Sequence, residues 1–311
     1  MVTNILQQLE EKLGTGRVKA NVILAPYTTF KVGGPAEFYF QAHTQDDLLN
    51  AIKAAHELKI PLHLLGGVSN VMIDDKGLKG LSVRNMYQLK EVIEETDDEV
   101  FLKVGSGYNM TRLAQETAEA GYEGFEYHFG LPGTLGGGIF MNSKWTAHPP
   151  THYIGDDLVR AAVANHAGDV REEPHEYFQF AYDYSILQDT REFVIWALFK
   201  MKKNDPKILL QRNKDATEYR KKTQPFGVAT SGCFFQNVEG QSAGQIIDEL
   251  GLKGLKVGGV HVSEIHANFI INDGTGTVQD VQKLVETIKS IVKEKRNIDL
   301  KAEVIIVEDY I

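Results

Sequence analysis

"GLPGTLGGG", Gly130–Gly138, contains five glycines in nine residues. Glycine has no Cβ, so a loop this rich in it lets the backbone approach a ligand closely and point several N–H groups at oxygen atoms. A diphosphate suits such a loop. The segment does not fit the dinucleotide fingerprint, and it lacks the lysine and hydroxyl residue that follow in a nucleoside-triphosphate loop. An ordinary structural turn is the alternative interpretation.

A second glycine-containing loop, "LGGVSN", Leu65–Asn70, directly follows a predicted buried strand. Its glycines, together with Ser69 and Asn70, provide backbone and side-chain donors for the same diphosphate. Two such loops from distant parts of the chain favour a large cofactor, either a nicotinamide or a flavin dinucleotide, and the pattern does not choose between them. A pair of tight turns is again the alternative.

The composition is that of an ordinary globular protein, with 42% hydrophobic and 24% charged residues among 311. The net charge of −9 provides no basic surface for nucleic acid or for an anionic membrane, although a local basic pocket for an anionic ligand is still allowed. We therefore expect a small-molecule ligand rather than a nucleic-acid or membrane partner.

The N-terminal residues 1–16 predict a short amphipathic helix ended by glycine rather than a secretory signal. No apolar run approaches the roughly 20 residues of a membrane span. The single cysteine, Cys233, permits neither an internal disulfide nor a cysteine-built zinc site. His261 and His266 are too isolated from other candidate ligands to predict a metal. A cytoplasmic protein is expected.

Hydrophobic periodicity predicts an α+β fold with a domain boundary near residue 205. Residues 44–60 predict a helix with a threonine cap, and residues 61–67 a buried strand. "YTTFKVGGPAEFYFQA", residues 27–42, predicts two short strands joined by a turn. "GFEYHFGLPGTLGGGIFMN", residues 124–142, predicts a loop, and "LKAEVIIVEDY", residues 300–310, a strand.

Cys233 lies in "ATSGCFFQN", residues 229–237. A free cysteine is most often a small buried hydrophobe. Gly232 before it and Asn237 after it indicate instead a turn that presents polar groups to a ligand. A thiol, with an ordinary pKa of about 8.5, can deliver a proton or act as a nucleophile, and both roles stay open on chemistry alone.

Glu303 interrupts the apolar pattern of the predicted terminal strand. The alternation of Leu300, Ala302 and Val304 places Glu303 on the opposite face, where a solvated position is the simpler interpretation. If that face lies against a site, Glu303 is a candidate acid.

In this order the segments resemble the UDP-N-acetylenolpyruvoylglucosamine reductase family, from about Tyr27 to Val307. The resemblance rests on six motifs: "YTTFKVGGPAEF", "LGGVSN", "GFEYHFGLPGTLGGGIFMN", "SGCFFQN", "HANFIIN" and "LKAEVIIV". It implies FAD and NADPH as cofactors, reduction of UDP-N-acetylglucosamine enolpyruvate to UDP-N-acetylmuramate, and a monomer of the family's shorter branch.

The resemblance also implies a vanillyl-alcohol-oxidase-like FAD-binding region over residues 1–205, in two parts of about 1–75 and 76–205. A C-terminal α+β substrate domain covers residues 206–311. The residues implied to bind FAD are Gly66, Gly67, Val68, Ser69, Asn70, Gly130, Pro132, Gly133, Thr134, Gly136, Gly137 and Asn142.

By the same resemblance, Cys233 stands where the family usually has serine and protonates the enolate that hydride addition leaves. Glu303 stabilises or protonates that enolate. Asn237 contacts the substrate. Arg220 is a further candidate for substrate binding.

The chain departs from the family pattern at Asp183, where a catalytic arginine is usual. Loss of a cation that stabilises transition-state charge costs on the order of 3 kcal/mol, or about a hundredfold in rate. Lys144 and Trp145 also depart from the pattern, since they stand in place of small residues. The usual Gly-Asn-Gly-Ser-Asn is replaced by Gly66-Gly67-Val68-Ser69-Asn70.

Three interpretations follow from these departures. The chain is an active reductase in which Lys144 or Arg220 replaces the arginine, a flavoprotein with another substrate or an oxidase activity, or a non-catalytic protein that binds FAD or a UDP-sugar. The presence of Cys233 and Glu303 favours the first, whereas Asp183 and Trp145 argue against it.

Overall fold

The computed structural model of the chain describes residues 2–147, 151–238 and 240–307. The helices in this part are α1 Val2–Leu13, α2 Gln45–Leu58, α3 Met110–Ala120, α4 Leu135–Met141, α5 Leu187–Thr190, α6 Pro206–Thr223, α7 Ala243–Glu249 and α8 Val278–Arg296. Short 3₁₀ helices span Ala25–Tyr27, Glu126–His128 and His175–Phe178. Within these residues no helix combines the length and the apolarity that crossing a bilayer requires.

The strands of the first half are β1 Lys19–Ile23, β2 Pro35–Ala42, β3 Leu62–Leu65, β4 Val71–Ile73, β5 Leu78–Asn85, β6 Lys90–Glu95, β7 Glu99–Gly105, β8 Tyr122–Glu123 and β9 Lys144–Trp145. Those of the second half are β10 His152–Tyr153, β11 Leu158–Ala164, β12 Val170–Pro174, β13 Phe193–Lys203, β14 Lys256–Val257, β15 Val260–Val262, β16 Ile270–Asn272 and β17 Ile305–Val307. The mixture confirms the predicted α+β class.

The chain forms two compact units. Unit 1 contains the chain up to Ala20, Phe38–Gly67 and Lys79–Tyr219, and unit 2 contains Asn21–Glu37, Val68–Leu78 and the chain from Arg220 on. These units differ from the ranges 1–205 and 206–311 expected from the sequence. The reason is that two N-terminal segments carry apolar side chains, including Phe30 and Met72, that belong to the core of unit 2.

Unit 1 is built around an antiparallel sheet with the order β12-β11-β13-β7-β6, to which β8 adds at the end of β13. One face of this sheet packs on α3 and α4, through side chains such as Leu102, Leu113 and Ile139. The other face contributes Ala162 and Ile195 to a second core with α1, α2 and strands β2 and β5. Apolar burial on both faces of the sheet therefore fixes the positions of the loops at its edges.

Helix α2 begins as the sequence predicts. The Thr44 side chain accepts a hydrogen bond from Asp47 N, and the Asp47 carboxylate accepts one from Thr44 N. This capping box satisfies two backbone donors that a helix start leaves open. Helix α2 and the parallel pair β3–β5 confirm the predicted helix and buried strand.

Unit 2 packs α7 and α8 against the three-stranded sheet β14-β15-β16. A parallel pair, β4 with β17, joins residues 71–73 to residues 305–307. The core contains Phe234, Phe235, Leu284 and Ile288, all almost fully buried.

Three local predictions were wrong. Residues 28–34 form no strand, although Thr28, Phe30 and Val32 alternate into the core, because Lys31 has a φ of +63° and Thr28 Oγ1 closes the loop on Val32 O at 3.0 Å. Residues 135–141 form helix α4 rather than a loop, because Leu135 and Ile139 are buried one turn apart. The terminal strand begins only at Ile305, so the alternation argument for Glu303 does not apply.

The backbones of residues 33–35 and 74–77 touch in unit 2, and Gly77 has a φ of +86°. A Cβ on Gly77 would overlap the carbonyl oxygen of Pro35. Gly77→Ala is expected to lower the free energy of unfolding by about 3 kcal/mol, through αL strain and this overlap. Gly251→Ala is the matched control, because Gly251 has a φ of +67° and open space around it, and it should cost about 1 kcal/mol. Equal urea midpoints for the two variants would contradict the overlap.

Burial raises the pKa of Asp157 to about 6, with smaller contributions from Asp156, Glu126 and Glu123. A carboxyl with a raised pKa in the folded state contributes stability below its unfolded pKa and loses it as the pH rises through about 6. Asp157→Asn is therefore expected to raise the free energy of unfolding at pH 8 by about 2 kcal/mol, after allowance for partial exposure, and to have little effect at pH 4. Urea titrations at the two pH values measure this, and the same difference at both would refute it.

Candidate active site

The two glycine loops predicted from the sequence meet in unit 1. A Cβ on Gly67 would overlap the Cα of Gly133, and a Cβ on Gly66 would overlap Oγ1 of Thr134. The two backbones are therefore closer than any residue with a side chain would allow. Such a junction leaves no room for a side chain at Gly66 or Gly67, as in loops whose backbone comes close to a diphosphate.

A third loop, residues 105–109, supports this junction. Ser106 O accepts a hydrogen bond from Gly136 N at 2.8 Å, and Tyr108 O accepts one from Leu135 N at 2.9 Å. Asn85 Nδ2 donates to Ser106 Oγ at 2.8 Å, and both side chains are buried. "GSG", residues 105–107, is a sequence signal of the same kind as the other two glycine-containing loops.

The predicted FAD-binding residues of the second loop divide by environment. Pro132 and Gly137 are exposed, whereas Asn142 is buried. Gly136 donates its N–H to Ser106 O, so its place in the structure is explained by close packing. Gly130, with a φ of +80°, starts the turn that leads to Gly133 and Thr134.

Asn142 ends helix α4 in the left-handed region, with a φ of +45°. Its Nδ2 donates to Ala181 O at 3.0 Å, and its Oδ1 accepts a hydrogen bond from Gly155 N at 3.2 Å. One buried amide thus connects the end of the glycine-rich helix to two other loops.

The first loop leaves unit 1 at Gly67 and continues into unit 2 as Val68, Ser69 and Asn70. Val68 is buried with a φ of +48°, which is strained for a β-branched residue. Asn70 Nδ2 donates to Glu303 O at 3.2 Å, and Asn70 O accepts a hydrogen bond from Ile305 N at 3.0 Å. Asn70 therefore positions the segment that carries Glu303.

Cys233 and Glu303 lie on neighbouring segments of unit 2. Glu303 N donates to Phe234 O at 2.8 Å, and Phe234 N donates to Asn268 O at 2.8 Å. The segment that begins at Cys233 is thus held between residues 268–269 and 301–303. Cys233 and Glu303 are both half-buried rather than part of the core, which suits groups that meet a ligand.

Asn268 was missed by the sequence analysis, although it lies within the quoted motif "HANFIIN". It is buried, its Oδ1 accepts a hydrogen bond from Phe235 N, and its Nδ2 donates to Phe235 O at 2.8 Å. This amide fixes the backbone two residues after Cys233. Isolated polar residues in an apolar motif are the signal that would have indicated it.

Asn237 is exposed, and its Oδ1 accepts a hydrogen bond from Ala243 N at the start of α7. Arg220 lies near the end of α6, only 8% exposed, and burial lowers its pKa to about 10. Their predicted contacts with substrate stay predictions.

Asp183 forms an ion pair with Lys144 in unit 1. The Asp183 side chain is 4% exposed and the Lys144 side chain 15%. The Lys144 ammonium also lies 3.9 Å from the ring centroid of Tyr182. The negative charge that replaces the family's arginine is therefore compensated locally.

Trp145 is buried beside this pair in an aromatic cluster. It stacks on Tyr127 at 6.0 Å between ring centroids, and Tyr219 meets its ring edge-on at 5.4 Å. The large side chain is thus accommodated by other aromatic rings of unit 1. Among the described residues, no group of three or more His, Cys, Asp or Glu side chains is arranged to hold a metal ion.

Two family models match the chain. One, described as the C-terminal domain of UDP-N-acetylenolpyruvoylglucosamine reductase, matches residues 224–307, and one described as an FAD binding domain matches residues 36–172. The UDP-N-acetylenolpyruvoylglucosamine reductase of Protochlamydia amoebophila is 34% identical over 92% of this chain and 92% of its own length. That of Chlamydia trachomatis serovar D is 35% identical over 93% of this chain and 96% of its own. The chain belongs to the UDP-N-acetylenolpyruvoylglucosamine reductase family.

A solved structure supports the same membership. The crystal structure of the UDP-N-acetylenolpyruvylglucosamine reductase from Thermus caldophilus matches with a TM-score of 0.79 and 32% identity, over 94% of this chain and 99% of that one. In this reductase family member, both glycine loops fall within the range of the FAD binding domain, and Cys233, Asn237 and Glu303 fall within that of the C-terminal domain. The predicted order of an FAD-binding domain and a reductase C-terminal domain is confirmed.

Replacement of Asn142 separates two contributions at the end of α4. Asn142→Gly keeps a residue that tolerates a positive φ but removes both side-chain hydrogen bonds, and it is expected to lower the free energy of unfolding by about 2 kcal/mol. Asn142→Ala adds the αL penalty and should lower it by about 3 kcal/mol. Urea unfolding of the flavin-free protein measures both, and a glycine variant as stable as the wild type would show that the two bonds contribute nothing.

Proposed function

We propose that this chain reduces UDP-N-acetylglucosamine enolpyruvate to UDP-N-acetylmuramate, with FAD as cofactor and NADPH as reductant, in peptidoglycan synthesis. The observation that carries the proposal is that the segments of Cys233 and Glu303 are hydrogen-bonded neighbours, in a chain that belongs to this reductase family over nine tenths of its length. The substrate is inferred from the names of the relatives. The acid groups, Cys233 and Glu303, are inferred from the structure.

The glycine junction is the proposed seat of the FAD diphosphate. Three glycine-containing loops converge where Gly66 and Gly67 meet Gly133 and Thr134, and a methyl group at the first two positions would not fit. When bound, FAD supplies the hydride that originates from NADPH. The exposed Pro132 and Gly137 are the parts of the second loop that remain accessible to it.

The reaction needs one hydride and one proton. The hydride adds to the CH₂ end of the enol ether, and the electron pair of the double bond moves to the adjacent carbon, where the carboxylate delocalises it as an enolate. The Cys233 thiol donates its proton to that carbon, which completes the lactyl ether and leaves a thiolate that solvent reprotonates. The Glu303 carboxyl, on the neighbouring segment, stabilises the enolate by hydrogen bonding.

The interpretation as a non-catalytic protein depended on the negative charge of Asp183 and on the size of Trp145, which packs against Tyr127 and Tyr219. Because Lys144 pairs with that carboxylate, the added charge is neutralised within unit 1. The structure therefore provides no specific observation that favours the alternative function.

The domain roles are part of the proposal: residues 1–205 bind FAD and residues 206–311 bind the nucleotide sugar. We also propose a monomer that works in the cytoplasm, where NADPH is available. The elution volume of the flavin-loaded protein on a calibrated sizing column tests the monomer.

Cys233→Ala is expected to leave flavin reduction by NADPH unchanged and to slow flavin reoxidation by the enolpyruvate substrate by roughly 10²- to 10⁴-fold, since only the second half-reaction requires the proton. Anaerobic stopped-flow at the flavin absorbance band measures the two half-reactions separately. Cys233→Ser is the matched control, because a hydroxyl restores a proton donor of similar size. Equal losses in both half-reactions would contradict the proton-donor role.

A further inference from the structure

The Lys144–Asp183 pair is more than charge compensation. Burial of two charges costs desolvation energy that their attraction repays only when geometry and hydrogen bonding are complete. Here the hydrogen bonding is incomplete, because the buried Oδ2 atom of Asp183 has no hydrogen-bond partner among the described residues. An unsatisfied oxygen on a buried carboxylate is a cost that the pair itself does not explain.

The surrounding backbone groups are satisfied, which sets this atom apart. Asp183 O accepts a hydrogen bond from Gln188 Nε2 at 2.8 Å, and Ala181 O accepts those of Asn142 Nδ2 and Tyr184 N. Asp183 is also held at a φ of +54°, a left-handed conformation that stores strain. Strain and an unsatisfied buried acceptor at one residue are typical of a ligand site.

The loop of Asp183 is bonded to the end of the glycine-rich helix. Ser185 Oγ donates to Phe140 O at 2.8 Å, Gln188 Nε2 donates to the same oxygen at 3.1 Å, and Asn142 reaches back to Ala181. These contacts fix the carboxylate relative to the loops that the proposed function assigns to FAD.

We propose that Oδ2 of Asp183 is a ligand-binding acceptor, which receives a hydrogen bond from an uncharged N–H or O–H donor on the bound ligand, while Lys144 holds Oδ1. The exposed Tyr182 ring, which lies over the Lys144 ammonium, is the side chain that moves to admit the ligand. An acceptor at this position discriminates against anionic groups and favours amide, imide or hydroxyl donors. The ligand's identity rests on the proposed function, so the donor belongs either to FAD or to the nucleotide-sugar substrate.

The test uses the geometry of an amide. In Asp183→Asn, the amide oxygen stays on Lys144, so the NH₂ group replaces Oδ2 and opposes a ligand donor. Asparagine tolerates a positive φ, and the variant is expected to fold. In Lys144→Met/Asp183→Asn, no ammonium holds the amide, which can turn its oxygen to the ligand. Removal of both charges together is expected to preserve folding.

Two affinities are measured for each variant: FAD with the flavin-free protein, by quenching of flavin fluorescence, and UDP-N-acetylglucosamine enolpyruvate with the oxidised holoprotein, by its change in the flavin spectrum. Asp183→Asn is expected to weaken one of the two about tenfold, and the double variant to recover most of it. Glu192→Gln, which disturbs the partly buried ion pair with Arg171, is the matched control and should bind both ligands normally.

The ligand whose affinity falls in the single variant and recovers in the double variant carries the donor. If only the affinity for FAD changes, the donor is on the cofactor; if only the affinity for the enolpyruvate changes, it is on the substrate. Normal binding of both ligands by Asp183→Asn, or equal losses in the single and double variants, would overturn the acceptor role and leave the pair purely structural. A wild-type protein that takes up no FAD would instead overturn the proposed function, and this inference with it.

Discussion

The close approach of two backbones at Gly67 and Gly133 is the constraint on which the glycine loops of unit 1 depend. A side chain at Gly67 would overlap the other loop, so neither loop can keep its path if Gly67 is replaced. The loop of residues 105–109 then becomes necessary, because its carbonyl groups accept the N–H groups of Leu135 and Gly136 and hold helix α4 against the junction. The positions of these loops are thus determined by the lack of space for a side chain at Gly67 and by the hydrogen bonds to residues 106 and 108.

In unit 2, the segment that contains Cys233 depends on a different set of contacts. Around Cys233 the chain is not part of a regular sheet, yet its backbone is bonded on both sides, to residues 268–269 and to residues 301–303. The buried amide of Asn268 satisfies the N–H and the carbonyl of Phe235 together. Cys233 and Glu303 thus lie on segments whose backbones are hydrogen-bonded, and both residues are half-buried rather than part of the core.

The sequence predicted the parts of the site whose chemistry is local. Glycine density predicted the two loops that meet at Gly67 and Gly133, and the Thr44 cap predicted the start of α2. The proton-donor role of Cys233 stays a prediction. The prediction failed where an alternating pattern of buried residues does not come from a strand. Thr28, Phe30 and Val32 are buried alternately, but the backbone between them turns at Lys31. Glu303 was likewise assigned to a face of a predicted strand, but it lies before strand β17 begins, so that argument does not apply to it.

Contacts between distant residues were outside the reach of pattern reasoning. Asp183 taken alone has the wrong sign for a site that develops negative charge, and it was the main argument for a protein without activity. Its partner Lys144 lies in strand β9, among residues that also depart from the family pattern, so the two departures are in contact and compensate each other in charge. Because Lys144 accompanies Asp183, the net charge of the pair is zero, and the local change is one of hydrogen bonding. The pair leaves Oδ2 of Asp183 unsatisfied, and the proposed ligand-binding role of Asp183 therefore rests on this atom.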